Sequence, residues 1–152
     1  MKKMIMMTAI SLIAAMAMTV SGFAADNMMG QMIHQSTVSG YKFAYHLLDK
    51  AARDKMMGGM KGMEMPGMSN SPDITNHLLL SLTDAAGKPV SSAKVGFFII
   101  GPDGKDQKTL TMGMDDGYGA DVGFKAKGVY KIKTKAMIGD KVLMDDFTYD
   151  VR

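Results

Sequence analysis

From about residue 73 onward, apolar and polar positions alternate in short runs separated by turn residues, the period of strands rather than helices. Over residues 77–83, Leu78, Leu80 and Leu82 share one face, while His77, Leu79, Ser81 and Thr83 share the other. Ala93–Ile100 is a continuous apolar run, which predicts a central strand buried on both faces. Gly101-Pro102-Asp103-Gly104 ends it, because proline sets φ at the first corner and glycine accepts positive φ at the last. Residues 108–114 alternate again, which groups Leu110, Met112 and Met114 on one side as core, and Asp115-Asp116-Gly117 makes the next turn. Tyr118, Ala120, Val122 and Phe124 face one way in the following strand; two more strands carry Tyr130, Ile132, Thr134 and then Leu143, Phe147, Tyr149, Val151.

A seventh strand lies upstream. Residues 40–47 place Tyr41, Phe43 and Tyr45 on one face against Lys42, Ala44 and His46, and residues 48–56 then turn helix-favouring. The pattern predicts an all-β fold: a seven-stranded immunoglobulin-like antiparallel β-sandwich with a short helix and a Met-rich loop near its N-terminus, a barrel being the alternative. The domain spans residues 39–152 and includes a Met-rich insertion at 56–72, preceded by a flexible tail over 26–38.

The first 25 residues read differently. A basic start, an apolar run over residues 5–20 and small residues at Gly22, Ala24 and Ala25 form the three regions of a secretory signal. A membrane anchor is the competing reading, but the run falls short of the ~20 residues a spanning helix needs. Cleavage after Ala24 or Ala25 removes Lys2 and Lys3 and no acid, leaving 16 basic residues of the original 18 against 15 acidic ones. A chain so nearly neutral, without a basic stripe interleaved with aromatics, argues against a nucleic-acid partner. Cysteine is absent, which excludes a disulfide framework, a thiolate metal site and a cysteine nucleophile together.

The stretch MMGGMKGMEMPGM, residues 56–68, cannot form a regular apolar face because Gly58, Gly59, Gly62, Pro66 and Gly67 interrupt it. Its thioethers are soft and neutral, suited to Cu(I) and Ag(I) and poor ligands for Mg²⁺, Ca²⁺ or Zn²⁺. They release no proton on binding, and the glycines let the backbone fold several sulfurs around one ion. The candidate ligands are Met56, Met57, Met60, Met63, Met65 and Met68, joined by imidazoles from His46 and His77. If one strand ends near Leu48 and the next begins near His77, the Met segment connects them and both histidines sit at the end from which it emerges. His77 is equally readable as an ordinary surface residue. The segment also reads as an oxidant sink, as an apolar contact surface, or as a compositional habit, since the leader alone carries Met1, Met4, Met6, Met7, Met16 and Met18. His34 lies in the tail, where it marks a second weak site or plain disorder.

Leu82-Thr83-Asp84, Gly87-Lys88-Pro89-Val90, Pro102-Asp103-Gly104-Lys105, Met112-Gly113-Met114, Tyr118-Gly119-Ala120-Asp121-Val122 and Phe147-Thr148-Tyr149-Asp150-Val151 together resemble the YtkA-like/FixH-like group of small exported Ig-like β-sandwiches. The resemblance covers about the last half of the chain. Exported proteins that pair such a domain with a Met/His-rich segment look like copper-handling proteins. This chain departs from them in carrying one histidine at Asn76-His77 where a His-His pair would be the stronger ligand set.

Catalysis has little support. No Gly-x-Ser-x-Gly elbow, His-Glu-x-x-His pair or phosphate loop occurs. Asp115-Asp116 and Asp145-Asp146 read as solvated turn and strand-edge carboxylates, and Lys131, Lys133 and Lys135 as the wet face of a strand. The expectation is therefore a monomeric periplasmic protein, not an enzyme. It binds Cu(I) or Ag(I) for buffering, delivery or resistance, and passes the ion to a periplasmic or membrane copper-handling partner. The alternative is an exported interaction module that uses the same loop as a contact surface.

Overall fold

The computed structural model describes residues 30–56, 58, 71–114 and 117–152. Nine strands and one helix occur among them: β1 Gln31–Val38, β2 Tyr41–Asp49, α1 Lys50–Met56, β3 Asn76–Thr83, β4 Ala93–Ile100, β5 Asp106–Leu110, β6 Met112–Met114, β7 Gly117–Val122, β8 Gly128–Ile138 and β9 Lys141–Val151. They form a five-stranded sheet, β1-β2-β3-β7-β6, and a four-stranded sheet, β5-β4-β8-β9. Every neighbouring pair is antiparallel. The two sheets face each other as a β-sandwich.

Its core is the set of inward positions that the alternation picks out. Phe43, Tyr45, Leu78, Leu80 and Val122 come from the first sheet, Phe97, Ile99 and Ile132 from the second. Each fully buried side chain of this size contributes about 1.5–3 kcal/mol. The hairpin between β1 and β2 closes on Ser39 (φ 49°) and Gly40 (φ 84°). Positive φ at both corners is the turn whose twist matches that of paired strands.

The structure departs from the sequence reading in four places. Nine strands replace the seven expected, first because the supposed tail contains β1. Residues 31–38 mix polar and apolar side chains as an edge strand does, and pair with β2 through a bulge between Met32 and His34. Second, residues 108–114 are not one strand. The chain leaves β4 at Thr111, whose N–H and hydroxyl both donate to Val95 O, at 3.0 and 2.9 Å, and resumes as β6 in the other sheet. Leu110 is left 72% exposed, and neither Met112 nor Met114 belongs to the core. Third, β4 is central but buried on one face only: Val95, Phe97 and Ile99 enter the core, whereas Phe98 and Ile100 are half-buried outside it. The described helix packs on the other sheet, against β2 and β3.

Fourth, only Asp146 of the Asp145-Asp146 pair is a solvated strand residue. Asp145 turns into the seam between β1 and β9, where it accepts hydrogen bonds from Ser36 Oγ (2.7 Å) and Tyr45 OH (2.9 Å). His34 stands 3.9 Å from the same carboxylate and stacks on Phe147, with ring centroids 4.2 Å apart. Burial, above all, pushes the Tyr45 hydroxyl far up in pKa, so it stays a donor. Asp145→Ala leaves that buried donor without its acceptor and is expected to cost about 1–3 kcal/mol. Tyr45→Phe, which removes the donor as well, should recover part of the loss when the two are combined. Urea unfolding of the four proteins of this cycle measures both effects.

Candidate metal centre

The outer face of the five-stranded sheet carries the chemistry. Asp49 ends β2 and caps the helix that follows, its Oδ1 accepting from Ala52 N at 2.7 Å. The cap starts α1 so that Arg53 lies against the sheet, 7% exposed despite its charge. There it grips Asp121 of β7 with a two-pronged fork, Nε to Oδ1 at 2.9 Å and Nη2 to Oδ2 at 2.5 Å. This hydrogen bond, first of all, raises the pKa of the guanidinium and keeps it charged. His77 of β3, directly across from Asp121 in the register and wholly buried, places Nδ1 2.8 Å from the same Oδ1.

That contact decides the tautomer. A carboxylate held by a guanidinium only accepts, so Nδ1 carries the hydrogen, and in the neutral form of the ring the lone pair is on Nε2. Nε2 is buried and has no hydrogen-bond partner among the described residues. Its place is over Gly119 of β7: a Cβ built there would stand 2.3 Å from Nε2. Any residue but glycine would displace the ring.

Both ends of the Met segment are tied near this cluster. On one side α1 is fastened through Arg53 to Asp121. On the other, Thr75 N donates to Val122 O at 3.1 Å, Phe124 N donates to Thr75 Oγ1 at 2.8 Å, and Lys125 pairs with Asp73. Asn76 Nδ2 reaches back to Leu48 O, at 3.2 Å, which closes β2 onto β3 where the segment leaves and returns.

His77 is thus no surface residue. His46 shares its sheet face, one diagonal step away, since Leu48 pairs with His77 and His46 with Leu79. Its Nδ1 is also buried without a hydrogen-bond partner among the described residues, and burial lowers its pKa. Leu79 stands between the two histidines in the register, and the His77 ring leans away from His46, toward β7. His34 belongs to the seam between the sheets. The side chain of Met56 and all of Met57, Met60, Met63, Met65 and Met68 lie outside the described residues, as do the leader over 1–25 and the turn at Asp115-Asp116.

Sequence reasoning missed Arg53, Asp121 and Gly119. Asp121 occupies the outward position in a Tyr-Gly-Ala-Asp-Val alternation, indistinguishable from a wet strand face, and only the folding of α1 over that face makes it interior. Among the described residues, no group of three or more His, Asp or Glu could hold a metal ion. Two buried imidazole nitrogens without a hydrogen-bond partner among the described residues, His77 Nε2 and His46 Nδ1, are the candidate donors that remain.

No protein-family model matches the chain, and comparison with curated proteins finds no match either. Solved structures do share its fold. FetP of uropathogenic Escherichia coli strain F11, as isolated after expression in the periplasm, superposes with a TM-score of 0.52 at 15% identity, over 79% of this chain and 92% of that one. A copper-bound variant of FetP gives the same TM-score. A copper-bound variant of the Campylobacter jejuni protein P19 follows at 0.53, with 12% identity, 80% of this chain and 96% of that one. A DUF4426 family protein of Pseudomonas aeruginosa PAO1 superposes at 0.54, with 12% identity, 78% of this chain and 93% of that one. At such identities the likeness is one of fold: the chain is a two-sheet sandwich of the kind these proteins also adopt.

Proposed function

We propose that this chain is a periplasmic copper-binding protein, exported by a cleaved leader. It takes Cu(I), or Ag(I) in its place, on the Met-rich segment over residues 56–68 together with imidazole from His77 and His46. The observation that carries the reading is His77 itself. A wholly buried imidazole is held by Asp121 and Arg53 in the tautomer that leaves Nε2 bare, beside the two points where the Met segment is anchored. A metal-ligating histidine commonly gives its other nitrogen to a carboxylate, which fixes the ring and raises its basicity. The copper-bound state of two proteins that share this fold supports the choice of metal.

In this reading the sandwich supplies fixed nitrogen donors and the segment supplies adaptable sulfur. Thioethers carry no proton, so they exchange stepwise with the donors of an acceptor protein without a change of charge. Buffering and delivery follow from that lability, and the role is binding rather than catalysis.

The test is a titration of the purified leaderless protein with Cu(I) against a competing chelator, repeated with Met60, Met63, Met65 and Met68 changed to leucine. The wild type is expected to bind and the variant to lose about tenfold or more in affinity. Leucine preserves apolar surface, so undiminished binding by the variant would instead leave the segment as a contact surface or oxidant sink.

pH supplies a second check. Protons compete for imidazole and not for thioether, so Cu(I) affinity should hold at neutral pH and fall as pH drops below the ordinary imidazole value of about 6.5. Burial lowers the pKa of His46, which moves its share of the loss to still lower pH. Affinity that stays flat from neutral pH down to values acid enough to protonate both rings would exclude them.

A further inference from the structure

The Met segment and the two histidines leave Met112 unused, although β6 places it across Gly119 from His77 on the same sheet face. The register across the outer face runs His77 to Asp121 and Leu79 to Gly119 between β3 and β7, then Gly119 to Met112 between β7 and β6. His77 Nε2 occupies the space over Gly119 that a side chain would otherwise fill. Residues directly opposite in an antiparallel pair share a face, their Cβ positions about 4.5–5.5 Å apart. Met112 is therefore the next residue across the sheet from Gly119, on the face where Nε2 lies. It is half-buried on an edge strand and takes no part in the core.

We infer that His77 Nε2 and the thioether of Met112 form a preset nitrogen–sulfur seat for a soft monovalent ion, Cu(I) or Ag(I), on the outer face of the five-stranded sheet. Gly119 is the opening that admits the ring, and Asp121 and Arg53 are positioning residues that hold it. The inference rests on the Cu(I)-binding reading and deepens it: the folded domain contributes a sulfur of its own. Met114 is the internal control. It shares strand and face with Met112 but lies opposite Gly117, one further pair away from His77.

The experiment compares Cu(I) affinities of the full leaderless chain and of its Met112→Leu and Met114→Leu variants by chelator competition, with the copper K-edge spectrum of each loaded protein. Met112→Leu is expected to lose about tenfold in affinity and to show less sulfur in the first shell. Met114→Leu should match the wild type, and all three should melt alike without metal, since leucine preserves the volume. Equal affinity and sulfur content for Met112→Leu and wild type would overturn the assignment, as would equal losses in the two variants. If either result appears while leucine at Met60, Met63, Met65 and Met68 still abolishes binding, the seat is wrong and the Cu(I) function survives. A wild type that binds no Cu(I) removes both.

Discussion

One carboxylate organises the outer face of this sandwich. Asp121 is shared between the Arg53 fork and His77 Nδ1. Removing either charge of this buried pair weakens what holds the other in a poorly solvated place, although Asp54 still reaches Arg53 Nη1 at 3.0 Å. The pair thus fastens α1 over the sheet, and with it the start of the Met segment. The same oxygen also dictates where the proton sits on the imidazole. One interaction settles both the local fold and the chemical state of the nitrogen that faces Gly119.

The sandwich makes this possible by keeping its two faces distinct. Inward positions of β2, β3 and β7 are filled by Phe43, Tyr45, Leu78, Leu80 and Val122, so the interior is closed without help from any methionine of β6. The outward positions of the same strands are then free to carry a histidine, a carboxylate and glycines. Glycine at 119 lowers the profile of β7 between β3 and β6, and that is how a ring from one strand comes to lie above the next. A second histidine of quite different role shows how local this is: His34 stacks on Phe147 beside Asp145 and helps to close the seam between β1 and β9.

Much of the fold was legible in the alternation of residues 40–47, 77–83 and 93–100, because a period of two has a single physical meaning when one face is buried. What was not legible depends on long-range partners. The jump from β5 to β6 turns on one threonine bonding back to Val95, which no periodicity displays, and the error put Met112 and Met114 in the core. The edge strand β1 lacks a clean pattern because its outer side faces water. At the site, His77 was visible as a histidine at a strand start. Its burial was not, since that requires α1 to fold back over β3, and Arg53 and Asp121 look individually like the surface charges that most such residues are. The sulfur-rich segment stood out at once by composition, which speaks to ligand softness and says nothing of where the nitrogen donors lie.

The central claim is that His77 offers a bare, fixed Nε2 to a soft metal ion. Nitrogen-15 NMR of the histidine rings in the full leaderless protein, recorded at neutral pH before and after addition of Ag(I), tests it most directly. The metal-free His77 ring should carry its proton on Nδ1, and within that ring the Nε2 resonance, not Nδ1, should move strongly when Ag(I) binds. A proton on Nε2, or an Nε2 resonance that stays in place while Ag(I) binds elsewhere, would contradict it.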